Sequence, residues 1–216
     1  MNEPVVTVVI PTRYAHPYLQ SALRSVAGQS FTAFEVIVVD DGSGRGSDIR
    51  ELLQSLDGRF KYTSTPASSG PGAARNVGVR AARTPYVAFI DDDDTWKPNL
   101  LADQLAYLER HPELDLVYAD AILEGSEAVA GRRFMELAPS RGPATLDSLL
   151  SCRCAVLTSS VVAKHESLMA VGFFTEERNR QEDFDLWVRV AHHGGQIGYQ
   201  RKVLGTYRVH PESLVG

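Results

Sequence analysis

Four consecutive aspartates, Asp91–Asp94, are the residues of this sequence best suited to chemistry. They follow Tyr86–Ile90, an apolar run that predicts a buried strand. Neighbouring carboxylates repel by roughly 1–4 kcal/mol per pair, and a divalent cation removes that repulsion by taking their oxygens as ligands. Mg²⁺ or Mn²⁺ typically binds one or two carboxylates together with substrate phosphates. A solvated loop in which Asp94 or Thr95 caps the next helix would leave three aspartates unexplained, so we favour a metal site.

A second acidic pair lies at Asp40-Asp41, where the strand-like run Phe34–Asp40 enters the turn Asp41–Gly44. An aspartate at this position can accept a hydrogen bond from a nucleobase imide or hold a ribose hydroxyl. Gly42 would let the backbone approach such a ligand closely. Taken alone, the segment is also an ordinary Asp-Gly turn, and both interpretations stay open.

A third acidic pair, Glu182-Asp183, opens a helical pattern that runs to Ala191. The helix dipole keeps a carboxylate at a helix N-terminus ionised, as a general base should be. This segment by itself is better explained by two capping residues in the first turn. A catalytic interpretation therefore depends on the rest of the sequence.

Glycines precede another helical pattern in Gly70–Asn76, a common place for backbone amides that face phosphate. The GK[ST] ending of a P-loop is missing, and no third glycine completes a GxGxxG fingerprint. The segment alone is a weak signal for phosphate binding.

The elements that must position these residues alternate between strand and helix patterns through the first half of the chain. This order predicts an α/β fold, with a mainly parallel Rossmann-like sheet flanked by helices. Ligands bind beyond the carboxyl ends of such strands, where Thr12, Asp40 and Asp91 are expected to converge. In the less regular second half we expect elements in the following segments: strand 116–120, loop 124–142, extended 156–163, helix 182–191, and short strands 197–203 and 205–209.

Composition excludes several classes of protein. With 44% hydrophobic and 23% charged residues, the sequence is typical of a soluble globular protein. The formal net charge of -5 argues against nucleic acid as a partner. No apolar run approaches the roughly 20 residues of a membrane span, and no signal peptide is evident. Cys152 and Cys154 are interpreted as reduced thiols rather than zinc ligands, and the expected location is cytoplasmic.

Taken together, the motifs resemble the family 2 glycosyltransferases, whose nucleotide-sugar-binding fold is called GT-A. The resemblance runs from Val5 to about Ser213, and its strength lies in the order of the motifs. The segments that carry it are Val8–Thr12, Val38–Ser43, Gly72–Asn76, Ala88–Trp96, Val171–Phe174, Glu182–Trp187 and Tyr207–His210.

The resemblance implies a role for each matching residue. Nucleotide-sugar contacts are implied for Pro11, Thr12, Tyr14, Asp41, Arg75, Asp91 and Asp92. Asp93 is implied as the principal metal ligand of a DxD motif, with Asp91 and His210 as further metal contacts. Asp183 corresponds to the catalytic base.

The implied protein is a single GT-A domain over residues 1–216, with a nucleotide-sugar-binding half at about 1–98 and an acceptor-binding half at about 99–216. We expect an inverting transferase that uses Mn²⁺ or Mg²⁺ and a UDP-, GDP- or dTDP-linked sugar, in polysaccharide or glycolipid synthesis. The acceptor would be a glycan or a lipid-linked glycan. A lipid-linked acceptor would bring the enzyme to the inner face of the membrane as a peripheral protein.

Two other classes stay open. A nucleotidyltransferase also uses metal-binding aspartates, but it would normally carry a basic glycine-rich loop near the N-terminus, and Pro11–Pro17 has no glycine or lysine. The second is a catalytically inactive module that binds a nucleotide or a glycan. The presence of both Asp93 and Asp183 argues against it.

Overall fold

A computed structural model describes residues 3–13, 17–177 and 181–209 of the protein. The strands are β1 Val6–Thr12, β2 Phe34–Asp40, β3 Phe60–Ser64, β4 Tyr86–Phe89, β5 Thr95–Trp96, β6 Leu116–Glu124, β7 Val162–Lys164 and β8 Ile197–Arg208. The helices are α1 Leu19–Ala27, α2 Gly46–Gln54, α3 Pro71–Ala81, α4 Leu100–Arg110, α5 Phe134–Leu137, α6 Leu146–Leu150, α7 His165–Val171 and α8 Glu182–His192, with a 3₁₀ turn at Thr158–Ser160.

The strands form one sheet in the order β3-β2-β1-β4-β7-β6-β8-β5. The first four strands in that order are parallel to one another, and β8 is parallel to β6. The β4–β7, β7–β6 and β8–β5 pairings are antiparallel. The α/β architecture with a central sheet is therefore confirmed, but the sheet is mixed, and its parallel part lies mainly in the first half of the chain.

Both faces of the central strands are covered, which explains the continuous apolar runs of β1 and β2. On one face, Val8 and its neighbours pack against apolar side chains of α1, α2 and α4. On the other, Val9 lies in a cluster with residues of α3 and α8, including Trp187. Among the described residues, every helix is too short or too polar to cross a bilayer.

The second half differs from the sequence expectation in three places. The segment expected to be extended over 156–163 forms the 3₁₀ turn before β7 begins. The two expected short strands are one strand, β8, whose register against β6 shifts around Asp120. The expected loop 124–142 contains the short helix α5. The continuous β8 arises from its pairing with β6, which local periodicity does not record.

Candidate active site

The carboxyl ends of β1, β2 and β4 meet at one edge of the sheet, as the sequence predicts. Thr12 lies opposite Asp40 in the β1–β2 register, and Val9 lies opposite Phe89, two residues before Asp91. The Thr12 hydroxyl donates a 2.5 Å hydrogen bond to Asp92. The structure therefore brings the end of β1 into direct contact with the acidic cluster Asp91–Asp94.

The four aspartates of this cluster have different surroundings. Asp91 accepts a hydrogen bond from Arg75 at 2.5 Å, and its backbone N–H donates to the Ser159 hydroxyl at 3.1 Å. Asp94 is 2% exposed and accepts from the backbone N–H of Arg208 at 2.9 Å. The Arg208 side chain also donates to the backbone carbonyl of Asp93 at 3.1 Å. Asp94 thus ties the cluster to β8, while Asp93 is only partly buried.

Negative charge accumulates in this cluster. Burial raises the pKa of Asp92 to about 7, and the charges of Asp93 and Asp91 add to the shift. Burial likewise raises the pKa of Asp94 well above its ordinary value, with the same two charges contributing. The protein side chains around the cluster therefore do not fully stabilise four ionised carboxylates.

A divalent cation fits this donor set, because it would relieve the repulsion and because carboxylate oxygens are hard ligands. Across residues 3–13, 17–177 and 181–209, no group of three or more His, Cys, Asp and Glu side chains is arranged to hold a metal unaided. Mg²⁺ and Mn²⁺ commonly need only one or two carboxylates when substrate phosphates complete the coordination. Asp93 and Asp91 stay the predicted ligands of such an ion.

Arg75 connects the acidic cluster to the start of α8. Its guanidinium group is buried and contacts Asp91 at 2.5 Å and Glu182 at 2.8 Å. Burial by itself lowers the pKa of Arg75, but the charges of Asp91, Glu182 and Asp183 outweigh it and raise the pKa. Arg75 therefore stays charged and holds the cluster and the N-terminus of α8 at a fixed spacing.

The residues around Arg75 dock α3 against the segment that leads to α8. The Asn76 side chain donates to the carbonyl of Phe174 and accepts from its N–H, both at 2.9 Å. A Cβ atom at Gly72 would lie 2.7 Å from the carbonyl of Thr175 and 2.9 Å from Cγ of Glu182. The glycine-containing motif that suggested phosphate-facing amides is thus packed against Glu182 in this structure.

Asp183 lies in the first turn of α8, where its carboxylate accepts two hydrogen bonds. Thr158 Oγ1 donates to Oδ2 at 2.8 Å, and the Phe184 N–H donates to Oδ1 at 2.7 Å. Asp183 also lines a cavity of about 380 Å³. The remaining cavity walls are largely apolar and include Leu137, Pro139, Leu149, Val156, Phe184 and Trp187.

Asp41 organises the loop that precedes α3. It is 4% exposed, and its carboxylate accepts from the hydroxyls of Thr65 and Ser68 and from the backbone N–H groups of Ser69 and Gly70, at 2.7–3.1 Å. These four donors match the roughly four lone-pair positions of a carboxylate. The base contact expected of Asp41 stays a prediction, and the structure gives the residue a role in shaping the loop.

The remaining sequence-predicted residues divide into two groups. Pro11 and Thr12 are buried at the end of β1, whereas Tyr14 and His210 lie outside the described residues.

Sequence reasoning missed two residues at this site. Thr158 belongs to a Thr-Ser-Ser run that interrupts an apolar segment, which was the available signal. Burial raises the pKa of Tyr207, and the charges of Asp94, Asp91, Asp93 and Asp183 add to the shift. Tyr207 therefore lies within electrostatic reach of both the cluster and Asp183.

The mixed α/β sheet with its flanking helices is a fold of the GT-A type, and the comparisons with known proteins agree. The chain belongs to glycosyl transferase family 2, whose model matches residues 7–150. An uncharacterized glycosyltransferase of Haemophilus influenzae is 35% identical over 130 residues, which cover 59% of this chain and 52% of that protein. The chain spans about half the length of several curated relatives that it matches.

Longer alignments link the chain to proteins with named activities. It is 24% identical over 190 residues, covering 88% of this chain and 71% of the relative, to the UDP-Glc:alpha-D-GlcNAc-diphosphoundecaprenol beta-1,3-glucosyltransferase WfgD of Escherichia coli. Staphylococcus aureus TarS (residues 1–349) with UDP-GlcNAc matches with a TM-score of 0.77 at 22% identity, over 96% of this chain and 59% of that one. The Pyrobaculum calidifontis mannosyltransferase PcManGT with GDP-Man and Mn²⁺ matches with a TM-score of 0.77 at 21% identity, over 98% and 59%.

Replacing Arg75 by Met should strongly destabilise the fold, because Glu182 and Asp91 would lose the guanidinium group with which both are paired. Breaking a buried ion pair in this way typically costs about 3–5 kcal/mol. The matched control is Arg80→Met on the same helix, whose ion pair with Glu176 is half exposed and should contribute under about 1 kcal/mol. Urea unfolding of both variants measures the difference. Equal losses would show that Arg75 does not hold the site together.

Proposed function

We propose that this protein is an inverting, metal-dependent glycosyltransferase that moves a sugar from a nucleoside-diphosphate sugar to an acceptor hydroxyl. The observation that carries this proposal is the buried Arg75 bridge, which joins Asp91 of the acidic cluster to Glu182, the neighbour of Asp183. A cation site and a candidate base are thereby held at the same edge of the sheet. Membership of glycosyl transferase family 2 supports the same activity.

Asp93 and Asp91 would hold Mn²⁺ or Mg²⁺, which when bound stabilises the charge that develops on the departing nucleoside diphosphate. Asp183 accepts the proton of the acceptor hydroxyl as that oxygen forms its bond to the anomeric carbon and the bond to the diphosphate breaks. Such general-base catalysis contributes roughly 10²–10⁴ in rate. Glycosidases need a second carboxylic acid for their poor leaving group, whereas a nucleoside diphosphate already leaves readily, so one carboxylate suffices.

The cavity beside Asp183 is the proposed acceptor site, because its largely apolar walls lead to this candidate base, which among the described residues is the one acidic or basic side chain that lines it. A lipid-linked glycan is the acceptor class we favour. The printed name of the Escherichia coli relative specifies a diphosphoundecaprenol-linked acceptor, which supports this choice. An acceptor of this class would bring the enzyme to the inner face of the membrane, in polysaccharide or glycolipid synthesis.

The donor is proposed to be a UDP- or GDP-linked sugar, with a dTDP-linked sugar as a further choice. Structures of similar fold contain UDP-GlcNAc in one case and GDP-Man with Mn²⁺ in another. A panel of these nucleotide sugars, assayed with Mn²⁺, identifies the donor. Release of a nucleoside diphosphate supports the proposal, and release of pyrophosphate would instead indicate a nucleotidyltransferase.

Replacing Asp183 by Asn should lower kcat at least about 100-fold, because the amide cannot accept the proton. The dissociation constant for UDP or GDP with Mn²⁺ should stay within about twofold, since the proposal assigns Asp183 to the acceptor and not to the nucleotide. Asp185→Asn is the matched control in the same helical turn, where the carboxylate pairs with Arg189, and it should keep normal kcat. Full turnover by Asp183→Asn, or an equal loss of binding and turnover, would contradict the assignment.

Replacing Asp93 by Ala should abolish the Mn²⁺ dependence of nucleoside-diphosphate binding, because this carboxylate is the proposed principal ligand. Isothermal titration calorimetry with UDP and GDP, with and without Mn²⁺, measures the effect. Asp57→Ala, which removes an exposed carboxylate paired with Arg59, controls for the loss of charge alone. If Asp93→Ala keeps the metal-dependent gain in affinity, Asp93 is not the ligand.

A further inference from the structure

The 3₁₀ turn Thr158–Ser160 is a rigid polar feature inside an otherwise apolar region. Its three residues are 5%, 6% and 2% exposed. Ser160 anchors the turn, because its hydroxyl accepts from the N–H of Ala119 in β6 at 2.9 Å. The Ser160 carbonyl accepts from the side chain of Gln104 in α4 at 2.8 Å. The position of the turn is therefore set by two elements outside the active site.

Ser159 attaches this turn to the end of β4 and the residues that follow it. Its hydroxyl accepts from the backbone N–H of Asp91 at 3.1 Å. Its carbonyl accepts from the indole N–H of Trp96 at 2.6 Å. The turn is consequently hydrogen-bonded to the segment that carries the proposed metal ligands.

Thr158 attaches the same turn to the start of α8. Its hydroxyl donates to Oδ2 of Asp183 at 2.8 Å and receives the indole N–H of Trp187 at 3.4 Å. The indole N–H of Trp187 can only donate, so the Thr158 hydroxyl accepts from it. The single proton of that hydroxyl is then donated to Asp183. Each carboxylate oxygen of Asp183 then has one donor, since Phe184 N–H serves Oδ1. Lone pairs remain for the hydroxyl of an acceptor.

We propose that Thr158 is a positioning residue that holds the Asp183 carboxylate at a fixed orientation and distance from the metal-binding end of β4. This inference rests on the proposed function, because Thr158 acts through Asp183 as the base. Misplacement of a reacting group by about 1 Å can lower the rate by roughly 100-fold. A single buried hydrogen bond that fixes a carboxylate therefore has a measurable effect on kcat.

The test compares Thr158→Val, which removes the hydroxyl and keeps the volume, with Thr158→Ser, which restores the hydroxyl. Thr7→Val is the matched control. Thr7 is 0% exposed, and its hydroxyl bonds Glu35 and Thr84 near the amino end of β1, at the edge of the sheet away from the site. Turnover is measured with Mn²⁺ as nucleoside-diphosphate release from UDP-glucose, UDP-GlcNAc or GDP-mannose, whichever the enzyme uses. Calorimetry with UDP or GDP reports nucleotide binding.

We expect Thr158→Val to lower kcat about 10- to 100-fold while the donor KM and the nucleotide dissociation constant stay within about threefold. Thr158→Ser should recover kcat to within about threefold of the natural protein. Thr7→Val should keep kcat within about twofold, although it also removes a buried hydroxyl. Thr158→Ala, which cannot overfill the site, replaces Thr158→Val if the latter does not fold and should show the same loss of kcat.

Two results would overturn the inference. One is a kcat for Thr158→Val, or for Thr158→Ala, that equals the kcat of Thr7→Val. The other is a Thr158→Ser variant as slow as Thr158→Val, because the hydroxyl would then be irrelevant. The Asp183→Asn variant separates this failure from failure of the proposed function. If Asp183→Asn loses turnover while Thr158→Val keeps it, only the role of Thr158 is wrong; if Asp183→Asn keeps turnover, both assignments fall.

Discussion

The structure of the site depends on one buried guanidinium. Arg75 lies between Asp91 and Glu182, which are far apart in the sequence, and a buried charge is tolerated only when it is paired. The two buried groups, Arg75 and Glu182, would each be strongly unfavourable without a partner of opposite charge. The three paired residues therefore fix the position of α8 relative to the end of β4. The position of Asp183 follows, because it is the residue next to Glu182.

The 3₁₀ turn is a second support between the end of β4 and the start of α8. The turn Thr158–Ser160 contacts Asp91 through Ser159 and Asp183 through Thr158. Arg75 links the end of β4 to the start of α8 through ion pairs. The turn links the same two elements through hydrogen bonds. Burial raises the pKa values of Asp92 and Asp94 in the acidic cluster, and the charges of Asp93 and Asp91 add to the shift. Under the proposed function, these fixed carboxylates preorganise the site for a cation and a diphosphate.

Local signals in the sequence predict the parts of the site that depend on single elements. The apolar run before Asp91 predicts β4 and places the acidic cluster at its carboxyl end, and the first turn of α8 begins at Glu182 as expected. The links between elements could not be predicted, because Arg75 and Glu182 are 107 residues apart. Nor does periodicity distinguish a strand from the short turn that carries Thr158. The four donors to Asp41 likewise depend on a loop conformation that sequence patterns do not define.

A crystal structure of the protein grown with Mn²⁺ and UDP, or with Mn²⁺ and GDP, tests the central claim most directly. The account predicts an ion bound by the Asp93 carboxylate and by the diphosphate, with Arg75 still paired to Asp91 and Glu182. Asp93 pointing into solvent with no ion beside it, or a diphosphate bound away from the acidic cluster, would contradict the account.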